Sequence, residues 1–200
     1  ASKHGIKLTT FDSAAELEKL AKHWPDAQLV LRIATDDSGA TCQLSNKYGA
    51  HLGEEVHSLV LLARALRMNI VGVAFHCGSG QTQSVAFGQA VVDAAAVFEQ
   101  LRDCGFNPHL LDIGGGFPGE DAVGSAPFAE IAASINAALS EHFPEDGKLQ
   151  VIGEPGRFFA YSAFTLACNI IGKKQLRRSA APAGESAVAA ASAGTIACSY

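Results

Sequence analysis

Three consecutive glycines at the end of a short apolar run constrain this chain more than any other feature. The stretch is LLDIGGGFPG, residues 110–119. Leu110, Leu111 and Ile113 read as a buried strand, and a side chain at Gly114, Gly115 or Gly116 would obstruct whatever the backbone has to approach. Two readings follow: a tight loop after a strand, or an anion cradle whose successive N–H groups point into one concavity and hold a phosphate. A second stretch favours the cradle. The apolar run 149–152 ends in Glu154-Pro155-Gly156-Arg157, and an arginine offers a planar fork of donors suited to phosphate.

The rest of the chain reads as a scaffold that brings these two strand ends together. Strand pattern is expected at 6–11, 29–33, 70–75 and 149–153 as well as in the glycine run. Helical spacing covers 14–23, capped by Asp12 or Ser13 and stopped by Pro25, then 53–68, 85–103 and 128–142, the last closed by Pro144. Residues 35–50 read as a polar loop. That makes about five strand-then-helix units with strands apolar on both faces, the pattern of a parallel sheet covered by helices. The architecture is α/β. Asp12, Arg32, His76, Asp112, Glu154 and Arg157 stand at C-terminal strand ends, where barrels and doubly wound sheets both carry their chemistry. A TIM-type (β/α)8 barrel is preferred, because the cradle and Arg157 fall in the last two units and no GxGxxG follows the first strand.

Composition excludes several partners. A net charge of −5 without a long basic block argues against nucleic acid or an anionic membrane. The five cysteines are odd in number and show no CxxC pairing, so neither a disulfide framework nor a zinc site is expected, and the chain reads as reduced and cytoplasmic. No 18-residue apolar run and no charged-then-apolar leader is present, so no membrane span or secretory signal is expected.

Five motifs in register carry a resemblance: LRIATDDS (31–38), FHCGSG (75–80), LLDIGGGFPG (110–119), EPGRFF (154–159) and SAFTLACNIIGKK (162–174). Over residues 1–174 the chain resembles the eukaryotic ornithine decarboxylases, pyridoxal-phosphate enzymes with an alanine-racemase-like barrel. Diaminopimelate and arginine decarboxylases share the HxGS, GGG and EPGR elements. The resemblance implies pyridoxal 5′-phosphate as cofactor, L-ornithine as substrate, putrescine and CO₂ as products, and no metal. Gly114, Gly115 and Gly116 would present N–H groups to the cofactor phosphate, Arg157 would clamp it, and Ser79 would touch it. Glu154 would sit at the pyridine nitrogen and keep it protonated; its alternative is a salt bridge to Arg157. His76 would stack on the cofactor ring. Arg32 contacts the active site or forms a structural ion pair, and Asp112 orients a neighbour or bonds the loop. Cys77 replaces the usual valine or isoleucine and reads as a packing variant. Lys47 resembles a lysine near the family's homodimer interface, and residues 3–22, with Lys3, Lys7, Lys19 and Lys22, overlap the surface that binds antizyme in animal members. A non-catalytic antizyme-inhibitor-like binding protein is the alternative from another class, and decarboxylation of another basic amino acid is the alternative within enzymes.

The resemblance also implies what this stretch lacks. The family's Schiff-base lysine lies on the first barrel strand, and its substrate-binding aspartate and the cysteine of a GPTCD motif lie in a C-terminal β-domain; no lysine here stands in the right place, so residues 1–200 alone are expected to be inactive. Residues 1–158 would then be the C-terminal part of the barrel, about its last five strand-helix units. Residues 159–174 would begin the first strand of the β-domain, and 175–200 form a low-complexity tail rich in Ala, Gly and Ser with no structure expected. Such an arc should end on two open sheet edges, at the strands around Ile6 and Leu149.

Overall fold

A computed structural model describes residues 2–121, 124–143 and 147–169. The chain divides into a compact unit Ala1–Thr165, which carries the sheet and its helices, and a second unit Leu166–Tyr200, described only over 166–169. After a 3₁₀ turn at Ser2–His4 the elements are β1 (Leu8–Phe11), α1 (Ala14–His23), β2 (Gln28–Arg32), β3 (Ala40–Cys42), α2 (Glu54–Ala65), β4 (Asn69–Ala74), β5 (Ser79–Gln81), α3 (Ser84–Asp103), β6 (Leu110–Asp112), α4 (Phe128–His142), β7 (Gln150–Ile152) and α5 (Gly156–Ala160).

The main sheet has the order β1-β2-β4-β6-β7, and every neighbouring pair is parallel. Strands follow one another in chain order with no reversal, so the doubly wound alternative is excluded and the arrangement is an arc of a (β/α) barrel. Leu29, Leu31, Ile70, Val73 and Leu111 face the helices, while Val30, Val71, Ala74 and Leu110 form a smaller cluster on the opposite face. Burial on both faces is why these strands read as unbroken apolar runs. The arc ends at β1 and β7 as expected, and Leu8 and Val151 on those strands are exposed.

Local signals explain the helix ends. Ser13 caps α1, its Oγ accepting the Glu16 N–H at 3.4 Å. Asp12 acts elsewhere, its Oδ2 accepting the Gly49 N–H at 2.9 Å and tying the end of β1 to the loop after β2. Helix α2 closes in a Schellman motif, with Met68 N–H donating to the Ala63 carbonyl at 2.9 Å and Arg67 at φ +57°. Arg67 is the sole non-glycine at positive φ among the described residues. Arg67→Gly is therefore expected to stabilise the chain by about 0.5–1 kcal/mol, the left-handed strain removed less the added unfolded-state entropy, read from the denaturant midpoint.

Two regions differ from expectation. The polar loop 35–50 contains β3, which pairs antiparallel with β5 through Ala40↔Gln81 and Cys42↔Ser79. Strands of three residues are too short to show an alternation. The β-prone run from Phe159 forms no strand over its described part: Phe159 and Ala160 close α5, and 161–169 are irregular. β-propensity needs a partner strand to act, and none lies beside this segment among the described residues. The rest of that run, the tail 175–200 and Pro144 lie outside the described residues.

Candidate active site

The C-terminal strand ends converge through the glycine loop. Its three carbonyls each accept a backbone N–H from a segment carrying a site residue: Gly114 from Glu154 at 2.7 Å, Gly115 from Cys77 at 3.3 Å, and Gly116 from Gln81 at 3.1 Å. Side chains are excluded on the same contacts. A Cβ on Gly114 would stand 2.0 Å from the Phe75 carbonyl oxygen, one on Gly115 would stand 2.9 Å from both the Glu154 carbonyl oxygen and His76 Nε2, and one on Gly116 would stand 2.4 Å from the Gly78 carbonyl oxygen. The loop thus locks the ends of β4, β5 and β7 together.

Its N–H groups divide. Gly114 departs from the expected phosphate role, because its N–H donates to Asp112 Oδ1 at 2.9 Å. The N–H groups of Gly115 and Gly116 have no acceptor among the described residues and are the two left for a ligand. Asp112 therefore bonds the loop, as one of its two readings held. Its carboxyl is raised above the usual range, chiefly by burial, with the Gly114 N–H opposing, Glu154 adding to the rise and Arg32 opposing it.

His76 follows β4. Its Nδ1 accepts the Gly78 N–H at 3.0 Å, which places the proton of the neutral ring on Nε2, and its carbonyl accepts the Thr35 hydroxyl at 3.0 Å. Burial and then the Arg32 charge lower its pKa below the ordinary histidine value, against the smaller pull of Glu154 and Asp37. The adjacent Cys77 is fully buried, and burial with the Asp37 charge pushes its thiol up to about 12. A thiol held so far from ionisation packs rather than attacks. Iodoacetamide near neutral pH should alkylate exposed Cys168 and partly exposed Cys42 and Cys104 well before Cys77, which should react only on unfolding; mass spectrometry of timed quenches checks this.

Arg157 reaches back from α5 to Ser79. Its Nε and Nη2 donate to the Ser79 hydroxyl at 3.2 and 2.9 Å, and the guanidinium lies 5.8 Å from the Tyr161 ring centroid. Among the described residues Glu154 and Arg157 form no ion pair, so the salt-bridge alternative for Glu154 is not realised. Arg32 likewise has no carboxylate partner among them; its guanidinium sits 5.1 Å from the Tyr48 ring centroid, and its charge acts on His76 and Asp112. Lys47 is exposed in a turn. Sequence reasoning missed Asp37, which is buried and accepts the Leu44 and Ser45 N–H groups at 2.5 and 2.8 Å, while Ser45 Oγ accepts the Thr35 N–H at 3.2 Å. Adjacent aspartates after a buried strand were the available signal, since such side chains fold loops onto their own backbone.

The arrangement has two ends. Ser79, Arg157 and the N–H groups of Gly115 and Gly116 make a donor-rich end, whereas His76 and Glu154 make the other, with a carboxylate and a flat neutral ring. That polarity suits a phosphorylated aromatic ligand with a basic ring nitrogen.

Known proteins match this chain along most of its length. Residues 1–161 match the profile of the pyridoxal-binding domain of pyridoxal-dependent decarboxylases. Mouse (Mus musculus) ornithine decarboxylase is 52% identical over 176 residues, covering 87% of this chain and 37% of that protein. Antizyme inhibitor 2 of Xenopus laevis is 48% identical over 180 residues, covering 90% and 39%. Among solved structures, the arginine decarboxylase of Paramecium bursaria Chlorella virus superposes with a TM-score of 0.72 at 36% identity, over 78% of this chain and 41% of that one. The chain spans under two-fifths of the length of the two relatives.

Proposed function

We infer the function from one premise: the chain belongs to the pyridoxal-dependent decarboxylases, and residues 1–161 belong to their pyridoxal-binding domain. We propose that this chain is the cofactor-holding part of an enzyme that decarboxylates L-ornithine to putrescine, with the Schiff-base lysine supplied from outside residues 1–200. The observation that supports this most is the Arg157–Ser79 contact together with two glycine N–H groups that have no acceptor among the described residues, donors drawn from three separate segments and suited to a phosphate.

On this reading Arg157, Ser79, Gly115 and Gly116 hold the phosphate of pyridoxal 5′-phosphate, and Gly114 serves by locking Glu154 in place. When bound, the cofactor supplies the electron sink for the pair released as CO₂ leaves. Glu154 holds a proton at the pyridine nitrogen, which keeps that sink strong. His76 offers an uncharged ring face to the cofactor, and Arg32 places a positive charge near the carboxylates Asp112 and Glu154. The substrate reading rests on the 52% identity to the mouse ornithine decarboxylase.

The likeness to an antizyme inhibitor supports a second reading, a protein-binding decoy that meets its partner through about residues 3–22, with Lys3, Lys7, Lys19 and Lys22. One experiment separates the two. This chain is put in place of the matching segment of the mouse relative, and CO₂ release from labelled ornithine and antizyme binding are both measured. Restored decarboxylation supports the enzyme; antizyme binding without it, with cofactor affinity lost, supports the decoy and rejects the enzyme.

A further inference from the structure

The bond from the Gly78 N–H to His76 Nδ1 gives this histidine a second role. We propose that His76 is a positioning residue for the phosphate clamp: its neutral ring holds Gly78, and through it Ser79 beneath Arg157, so that a proton taken up at Nδ1 releases the clamp. This rests on the cofactor site described above.

The contacts form an unbroken path. Gly78 sits at φ +82° with no spare room, since a Cβ there would meet the Ala40 Cβ at 2.4 Å and the Cys42 carbonyl oxygen at 2.9 Å. The next residue, Ser79, is paired with Cys42 in the β3–β5 ribbon and accepts both Arg157 donors. Only a neutral imidazole has a nitrogen lone pair to accept the Gly78 N–H; in the imidazolium two donors would face each other across the same 3.0 Å. The charged groups around the ring are Arg32 at the end of β2, Asp37 in the following loop and Glu154 after β7, with Asp112 at the end of β6 close by. Burial and Arg32 prevail, so the ring stays neutral below its ordinary value, 6.5. The sign follows: the clamp is whole above that value and fails as pH falls through the lowered one.

The test uses pyridoxamine 5′-phosphate and unphosphorylated pyridoxamine, neither of which forms a Schiff base, with wild type, His76→Asn and His76→Gln. Asparagine sets its amide oxygen near the place of Nδ1, whereas glutamine sets it near that of Nε2. The preference for the phosphorylated ligand should survive in His76→Asn and fall about tenfold in His76→Gln, the worth of one hydrogen bond. Acidification should erase the preference in wild type and leave His76→Asn unaffected once the ligand's own titration, common to all three proteins, is subtracted. Hydrogen exchange at the Gly78 amide, followed without ligand, should show the same order of protection and the same loss in acid for wild type. Equal loss in both variants, or a Gly78 amide indifferent to pH, overturns the proposal. If wild type binds neither ligand while Gly78 keeps the expected pattern, the hold on Gly78 stands and the cofactor reading falls.

Discussion

Gly114→Ala is expected to remove about 2–5 kcal/mol of stability, a large share of the ~5–15 kcal/mol by which domains are ordinarily stable. Two costs add. A left-handed φ of +57° costs an L residue about 1–2 kcal/mol, and overpacking costs about 1–3 kcal/mol more. The overpacking is severe here because the new Cβ would stand 2.0 Å from the Phe75 carbonyl oxygen, a backbone atom of β4's extension that cannot rotate away. Gly114 cannot retreat either, being bonded on one side to Asp112 and on the other to Glu154. Gly105→Ala supplies the control: its φ is +87°, yet nothing lies within 4 Å of its Cβ position, so only the conformational strain applies. Denaturant titration of both variants decides the matter. Equal losses would show that conformation, and not the close approach to β4, is what demands glycine at 114.

Arg157→Ala should have the largest effect on ligand affinity. A charge-assisted hydrogen bond contributes about 1.5–3 kcal/mol, so loss of the clamp should weaken pyridoxamine 5′-phosphate roughly 10- to 100-fold, while pyridoxamine without phosphate is barely affected. Arg157→Lys should fall between, because lysine restores charge without the two-pronged geometry seen on Ser79. The thermal midpoint should change little, since Arg157 is exposed. Unchanged affinity for the phosphorylated ligand would reject the clamp.

Much of the fold was legible because burial writes itself into long periodic runs. Helices α1 and α4 fall on the expected residues, and β4 and α3 lie within a residue of them. What escaped was short or dependent on context. β3 and β5 pair because Cys42 and Ser79 are brought opposite each other by the barrel, and the run from Phe159 ends a short helix and then runs irregularly, with no strand beside it among the described residues.

The site divides in the same way. Residue identities at strand ends were readable, since His76, Glu154 and Arg157 interrupt apolar or glycine-rich stretches that have no other use for them. Which atom does what was not. Nothing in GGG tells that Gly114 spends its N–H on Asp112, or that the three carbonyls bind three neighbouring segments, because those partners come from β4, β5 and β7. Asp37 reads in sequence as one more polar loop residue, because the N–H groups it accepts, those of Leu44 and Ser45, meet it only in the folded loop.

The most direct test is a crystal structure of the protein with pyridoxamine 5′-phosphate. The phosphate is expected between the Gly115 and Gly116 N–H groups, the Ser79 hydroxyl and the Arg157 guanidinium, with the pyridine nitrogen on the Glu154 carboxylate and the ring against His76. A phosphate bound elsewhere, or a ring turned so that Glu154 meets no nitrogen, would contradict the assignment of this strand-end cluster as a pyridoxal-phosphate site.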